Sequence, residues 1–386
     1  MSQKKNYKTF YIASKECPRR FLDAGRTYEY LLVNGLVPAS EEEADLIVVY
    51  TCGGFNDWET RSIRAAKEAS EKKGDVIISG CLNQINPDAF KGLKIKNLRH
   101  SQMPILDNLI HAKVKFKDVP KVSKVRGVHI LNTKTKWQRR FLEFEPRIRY
   151  VKKIVKRVLT KKPESAYKLE IARGCLGNCT YCAIKFAMGD LRSRKISDIK
   201  LEFNKAIKTH KRIELIAGDI GCYGIDIDTS LPELLKELLS AKGDYKLVLT
   251  DINPTYFVKF KKTLIPLLVK HQERIEKVMI PVQSGSNKIL KAMKRMYDIK
   301  DVKNALLKLK REAPGIKLET HLLVGFPGES EHDFELSKEF IEKIGFDDYF
   351  FYSYDDRPRT QACDMFPKIS DKVKKQRINV LNAAFG

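Results

Sequence analysis

The sequence predicts an α/β protein in two parts: an N-terminal parallel-sheet domain, then a six-unit β/α partial barrel open on one side. Three observations predict it. Short apolar runs alternate with helical patterns over two separate stretches. A strongly basic segment without that alternation lies between them. At 386 residues and 43% hydrophobic content, the chain can form more than one core.

The first stretch reads as three strands with helices between them. KTFYIAS (Lys8–Ser14) is strand-like, and RRFLDAGRTYEYLLVNG (Arg19–Gly35) has helical spacing with a glycine stop. ADLIVVYT (Ala44–Thr51) is a buried-strand run, and Asn56 or Asp57 caps the helix that ends at Gly74. DVIISG (Asp75–Gly80) is the third strand. Alternation of this kind implies parallel pairing with right-handed crossovers. Cys17, Cys52 and Cys81 each follow one strand. In a parallel sheet the strand C-termini share one rim, where ligand sites collect, so these distant cysteines are candidates to come together.

The segment 111–163 carries 18 Lys or Arg against 3 Asp or Glu, contributing +15 of the chain's net +25. Its aromatic and aliphatic residues include an expected amphipathic helix after Pro146. Such a segment binds RNA, lies on an anionic membrane surface, or links domains through a charged face. No run approaches eighteen unbroken apolar residues, and the N-terminus has no signal-peptide pattern. No membrane span and a cytoplasmic location are expected. In that setting eight cysteines argue for metal rather than disulfides.

The second series starts at Tyr167. Its strands are expected at 167–172, 213–218, 245–250, 277–282, 317–325 and 348–354, with helices such as 301–313 and 329–345 between them. Active residues of such a barrel sit at strand C-terminal ends. There the sequence places Cys175, Gly218 with Asp219, Gln283 with Ser284, and Gly325.

Cys175, Cys179 and Cys182 form a CxxxCxxC run. Thiolates suit zinc or iron–sulfur clusters. Structural zinc normally takes four protein ligands in paired motifs, yet no second CxxC and no histidine within twenty-five residues accompany the run. A [4Fe–4S] cluster on three cysteines leaves one iron open to a small-molecule ligand. A non-catalytic electron carrier or redox sensor is the competing class, although a carrier needs neither the open-site spacing nor a barrel.

CLGNCTYC at the mouth of a six-unit barrel resembles the radical S-adenosylmethionine (radical SAM) superfamily. The resemblance narrows to the methylthiotransferases through Cys17, Cys52 in TCGG and Cys81 in SGC. IPVQSGSNKILKAMKR (280–295), HLLVGFPGES (321–330) and RPRTQA (357–362) support it, and it spans nearly the whole chain outside the basic segment. The resemblance implies two [4Fe–4S] clusters and S-adenosylmethionine. Cys175, Cys179 and Cys182 would hold the cluster that cleaves S-adenosylmethionine to a 5′-deoxyadenosyl radical. Cys17, Cys52 and Cys81 would hold an auxiliary cluster that binds or supplies sulfur. It further implies that Gly218 and Asp219 meet the methionine amine, and that Gln283 and Ser284 bond the ribose or carboxylate. Tyr181 and the Val324–Gly325 backbone would flank the adenine. Arg295 would pair with a carboxylate, or be an ordinary surface cation. Cys222 and Cys363 match no cluster position and read as packing residues.

The chain departs from the family pattern at SKECP around Cys17, at His321 where an aspartate is usual, and at Arg359 where a glycine is usual. These touch the substrate pocket more than the cluster chemistry. The expected domains are 1–110 with the auxiliary cluster, a basic insert 111–163, a radical SAM core 164–365, and a tail 366–386 in place of the family's small RNA-binding β-barrel (TRAM) domain. The resemblance implies conversion of C–H to C–S–CH3. Its expected acceptor is a tRNA adenosine, by likeness to the threonylcarbamoyl-adenosine branch, with a peptide or protein side chain as the alternative. An acidic peptide would suit the basic segment too. The implied electron donor is a flavodoxin or ferredoxin, and the sulfur source is left open.

Overall fold

The computed structural model describes residues 6–14, 17–120, 122, 125–131 and 166–385. It divides into two compact units, Met1–Cys52 with Asp57–Asn83 and Pro87–Tyr167, and Gly53–Asn56 with Gln84–Asn86 and Lys168–Gly386.

The first unit is built on β1 (Thr9–Ser14), α1 (Pro18–Val33), β2 (Leu46–Thr51), α2 (Asn56–Ser70) and β3 (Asp75–Gly80). The strands pair in parallel, β1 with β2 and β2 with β3. Short strands Val37–Pro38 and Lys96–Asn97 extend the two edges, and His129–Ile130 also pairs with β1. All six residues of β2 are buried, as expected of a central strand covered on both faces. Alternate side chains feed two cores. Phe10, Ile12, Val48 and Ile77 pack with Tyr30 and Leu31 of α1, while Ala13, Ile47, Val49 and Ile78 pack with Ala66 and Ala69 of α2. Each fully buried Ile or Val contributes roughly 1.5–3 kcal/mol. Phe116 and Val119 lie in the first core and Leu131 in the second, so this domain reaches past the expected boundary at 110. The helix expected after Pro146 lies outside the described residues.

The second unit follows the expected order: β4 (Tyr167–Glu170), α3 (Ile196–Ala206), β5 (Arg212–Ile216), α4 (Leu231–Leu239), β6 (Lys246–Leu249), α5 (Lys261–Lys270), β7 (Ile275–Met279), α6 (Ile299–Glu312), β8 (Lys317–Val324), α7 (Glu331–Ile344) and β9 (Asp348–Ser353). The six strands lie side by side in chain order, and the sheet keeps two free edges. Pairing from β5 through β9 is parallel throughout. This is the open (β/α)6 barrel. Sequence-local caps start three of these helices, α4, α6 and α7: Ser230, Asp298 and Ser330 each accept a backbone N–H, and Ser330 forms a reciprocal box with Asp333.

Two local expectations need correction. The strand expected over 167–172 ends at Glu170. Ala172–Arg173 instead turns into a two-stranded antiparallel ladder with Arg192–Ser193. The expected tail holds α8 (Asp371–Phe385), which packs on β9 and β8 through its buried Leu381 and through Phe385 against Tyr349. Its pattern is weakly amphipathic, so the sequence alone did not signal docking. Among the described residues no helix is long and apolar enough to cross a membrane.

Candidate active site

The cysteine loop leaves β4 through Gly174, whose φ of +81° and a would-be Cβ 1.9 Å from the Asp190 carbonyl admit only glycine. The 172–173/192–193 ladder pinches the loop at its base. Further along, Thr180 is held by three bonds: its N–H and hydroxyl donate to the carbonyls of Met293 and Ala292, and its own carbonyl accepts from Ala362 N–H. Segments 280–295 and 357–362 thus fix the loop. Arg359 adopts φ +67°, the left-handed region that glycine enters freely, which gives a backbone reason for the glycine that the resemblance led one to expect here.

The three thiols gather within the loop. Gly177 N–H donates to Cys175 Sγ at 3.2 Å, and a Cβ on Gly177 would stand 3.2 Å from that sulfur and 3.7 Å from Cys179 Sγ. Burial, then Cys179, push the Cys182 thiol up, with Cys175 adding to the rise. A buried thiol pushed up by its neighbouring thiols needs a positive partner to ionise, which iron supplies. Among the described residues, no three Cys, His, Asp or Glu side chains stand at the spacing for a single ion. A cubane spreads its ligands over separate irons, so this does not count against a cluster.

Asp219 follows β5 and is 4% exposed. Its Oδ1 accepts from Gly221 N–H at 2.8 Å and Asn253 N–H at 3.1 Å, while Oδ2 is buried without a partner. Burial, with the Cys175 thiol second, pushes its carboxyl up to about 7. A buried carboxylate oxygen with no donor is suited to an ammonium group. Arg295 is not a surface cation: it is 8% exposed, donates to Tyr181 Oη at 2.8 Å, and keeps a buried Nε without a partner. One orphaned acceptor and one orphaned donor fit the amino and carboxylate ends of a methionine moiety.

Other expected contacts take different places. Gly218 is needed for packing, since a Cβ there would meet the Gly174 carbonyl and Met188 Cε at 2.2 Å. Gln283 sits at φ +68° and bridges to β8, its N–H on the His321 carbonyl and its carbonyl accepting from Leu323. That strained backbone is typical of ligand sites. Ser284 departs from expectation. It is 1% exposed, its hydroxyl lies 3.4 Å from Ser337 Oγ and accepts from Ser286 N–H, so it organises the QSG turn rather than offering a free donor. Gly325 N–H donates to the buried Glu329 at 2.6 Å, and the Val324 carbonyl accepts from Tyr354 N–H, so these two backbone groups are already engaged.

Sequence reasoning missed three things. Cys222 is not a mere packing residue, because its thiol donates to the Asp219 carbonyl at 3.2 Å and the neighbouring Cys175 thiol, then burial, push its pKa up. His321 belongs to a polar row on one sheet face, within 3.3 Å of Glu319 and of Tyr352 Oη. Glu319 in turn pairs with Lys277. Arg377 of α8 holds Glu329 at 2.6 Å, placing a tail residue beneath the Gly325 turn. Neither the first nor the third has a local signal; the alternation of polar residues on β8 is a local trace of the second.

In the first unit, Cys17 caps α1, and Cys52 and Cys81 directly follow β2 and β3. The register pairs Ser14 with Tyr50 and Thr51 with Gly80, so the three strands end on a common rim. Cys52 is fixed by reciprocal bonds with Ser62, and Cys81 N–H donates to the Thr51 carbonyl. Three thiols on one rim, with the Arg20 guanidinium on one sulfur, form a donor set suited to a second iron–sulfur cluster.

Residues 169–341 match the model of the radical SAM superfamily. The probable threonylcarbamoyladenosine tRNA methylthiotransferase of Pyrococcus horikoshii is 31% identical, with 96% of this chain and 82% of that one covered. The ribosomal protein uS12 methylthiotransferase RimO of Acetivibrio thermocellus is 32% identical, with 95% and 80% covered. Among solved structures, the radical S-adenosylmethionine methyltransferase TsrM from Kitasatospora setae shares the fold, with a TM-score of 0.61 at 14% identity, covering 92% of this chain and 77% of that one.

Proposed function

The chain belongs to the radical SAM methylthiotransferases, and from that membership we propose that its acceptor is a tRNA adenosine, in which a C–H becomes C–S–CH3. The observation that carries the substrate reading is electrostatic. Of the net +25, +15 falls in residues 111–163, and clustered cations give affinity for a phosphate backbone whatever fold presents them. The named activity of the Pyrococcus relative supports it. A protein side chain is the second reading, favoured by the comparable likeness to the uS12 enzyme.

The enzyme uses S-adenosylmethionine and [4Fe–4S] clusters. Once bound, they supply the radical that takes a hydrogen from the acceptor carbon. In the proposed site Cys175, Cys179 and Cys182 hold one cluster. Asp219 Oδ2 receives the methionine ammonium, and Arg295, oriented by Tyr181, receives the carboxylate. Gln283 and the Val324–Gly325 turn line the nucleoside end. Cys17, Cys52 and Cys81 would hold the auxiliary cluster, which would bind or supply the sulfur. A flavodoxin- or ferredoxin-type donor supplies electrons. The test is mass spectrometry of bulk tRNA and of ribosomal proteins from cells with and without the gene. A thiomethyl gain on a tRNA nucleoside that depends on the gene is expected. The same gain on a protein, with tRNA unchanged, transfers the reading to the protein class.

A further inference from the structure

The first helix carries an arginine that its own surroundings do not explain as a surface charge. Arg20 lies in the first turn of α1, and its side chain is only 11% exposed. Its Nε donates to Cys81 Sγ at 3.2 Å. Its Nη1 donates to Asp23 Oδ2 at 2.8 Å, and Asp23 is itself 3% exposed. The other oxygen of Asp23 meets His100 Nε2 at 3.0 Å. Cys81, Arg20, Asp23 and His100 therefore form one buried chain spanning β3's end, α1 and the short helix His100–Ile105. A buried guanidinium is costly to keep without counter-charges, and here a carboxylate and a sulfur face it. Their order matters: the carboxylate holds Nη1, and the Nε–H points at the cysteine.

We infer that Arg20 is a positioning residue of the auxiliary site, whose guanidinium, oriented by Asp23, donates to the Cys81 sulfur and raises the reduction potential of the cluster held there. This rests on the reading of Cys17, Cys52 and Cys81 as cluster ligands. Hydrogen bonds to cluster sulfurs and nearby charge are the levers by which a protein sets such potentials. A positive donor withdraws electron density from the thiolate and favours the reduced state, which carries one more negative charge. Removing the cation lowers the potential. Neutralising Asp23 while keeping Arg20 leaves the cation uncompensated and raises it. A merely structural tie between α1 and the end of β3 would give neither shift, and above all not two shifts of opposite sign.

The test uses the full chain with Cys175, Cys179 and Cys182 all replaced by alanine, reconstituted anaerobically, so that only the auxiliary cluster is observed. Iron is counted and the midpoint is read by an EPR-monitored redox titration. Arg20→Gln is expected to move the midpoint negative by about a tenfold change in the reduction equilibrium, ~59 mV for one electron. Asp23→Asn is expected to move it positive. Unchanged midpoints at full iron content overturn the inference. Should Arg20→Gln fail to hold iron, Asp23→Asn decides alone, and a negative or absent shift there overturns it. If the parent variant itself takes up no iron, the auxiliary-cluster reading fails, an outcome distinct from a cluster that binds but does not shift.

Discussion

Cys175, Cys179 and Cys182 sit within eight consecutive residues, on a loop pinned at its base by a strand ladder and further along by Thr180. Cys17, Cys52 and Cys81 are separated by 35 and 29 residues and share a rim only because three parallel strands end in register. One trio is thus a property of a local chain segment, and the other a property of a sheet. The difference predicts different vulnerabilities. A local loop fails when its own backbone is disturbed. A rim site fails with strand register, since a one-residue slip turns every side chain to the opposite face.

The largest expected effect separates the trios outright. Replacing Cys175, Cys179 and Cys182 with alanine is expected to halve the iron of reconstituted protein and abolish reductive cleavage of S-adenosylmethionine. Replacing Cys17, Cys52 and Cys81 halves the iron as well but leaves that cleavage intact. Iron analysis with chromatography for 5′-deoxyadenosine checks both.

A matched pair of glycines sharpens the contrast. Gly174→Ala strains a φ of +81° against the Asp190 carbonyl, and Gly80→Ala strains a φ of +116° against Thr51. Each is expected to cost at least ~1–3 kcal/mol of its own unit's stability. Each should deplete only its own cluster, as read by iron content in the two alanine-trio backgrounds.

A smaller effect is expected from Asp219→Asn, which removes the charge but keeps the shape. Loss of a charge-assisted bond of roughly 1.5–3 kcal/mol should weaken S-adenosylmethionine binding by about tenfold to a hundredfold, measured by calorimetry, with both clusters retained.

The smallest concerns the barrel scaffold. Asp333 is 3% exposed, and despite its burial the bonds from Lys288, Ser330 and Ser286 hold its pKa below the usual carboxylate range. Because the folded pKa is depressed, its contribution is present above the ordinary value near 4 and is lost as pH falls through the folded pKa. Asp333→Asn should therefore destabilise the protein by ~1–2 kcal/mol near neutrality and less in acid, as followed by denaturant unfolding at several pH values.

The same local-versus-sheet contrast explains what could be read from the sequence. Strand cores such as LIVVYT and DVIISG were found to within a residue or two, because apolar runs bounded by turn residues are local signals. The cysteine loop was legible for the same reason. The ladder of Ala172–Arg173 with Arg192–Ser193 was not, since two-residue strands carry no periodicity. Neither was Arg377 beneath Glu329, nor Arg20 on Cys81, because these pairs lie 48 and 61 residues apart and exist only after folding. Ser284 shows the same limit: its motif marked the turn, but not that the hydroxyl accepts from Ser286 N–H and lies beside Ser337, 53 residues on.

The central claim is that the loop trio makes the radical and the rim trio makes it a sulfur-inserting one. It is tested most directly in the protein whose Cys17, Cys52 and Cys81 are alanine, incubated anaerobically with reductant, S-adenosylmethionine and unmodified tRNA. One mass-spectrometric run then reads 5′-deoxyadenosine and thiomethylated nucleoside together. The account requires 5′-deoxyadenosine at the wild-type level with no thiomethylated product. Thiomethylated tRNA formed without those three cysteines, or no 5′-deoxyadenosine at iron content typical of one cluster, would contradict it.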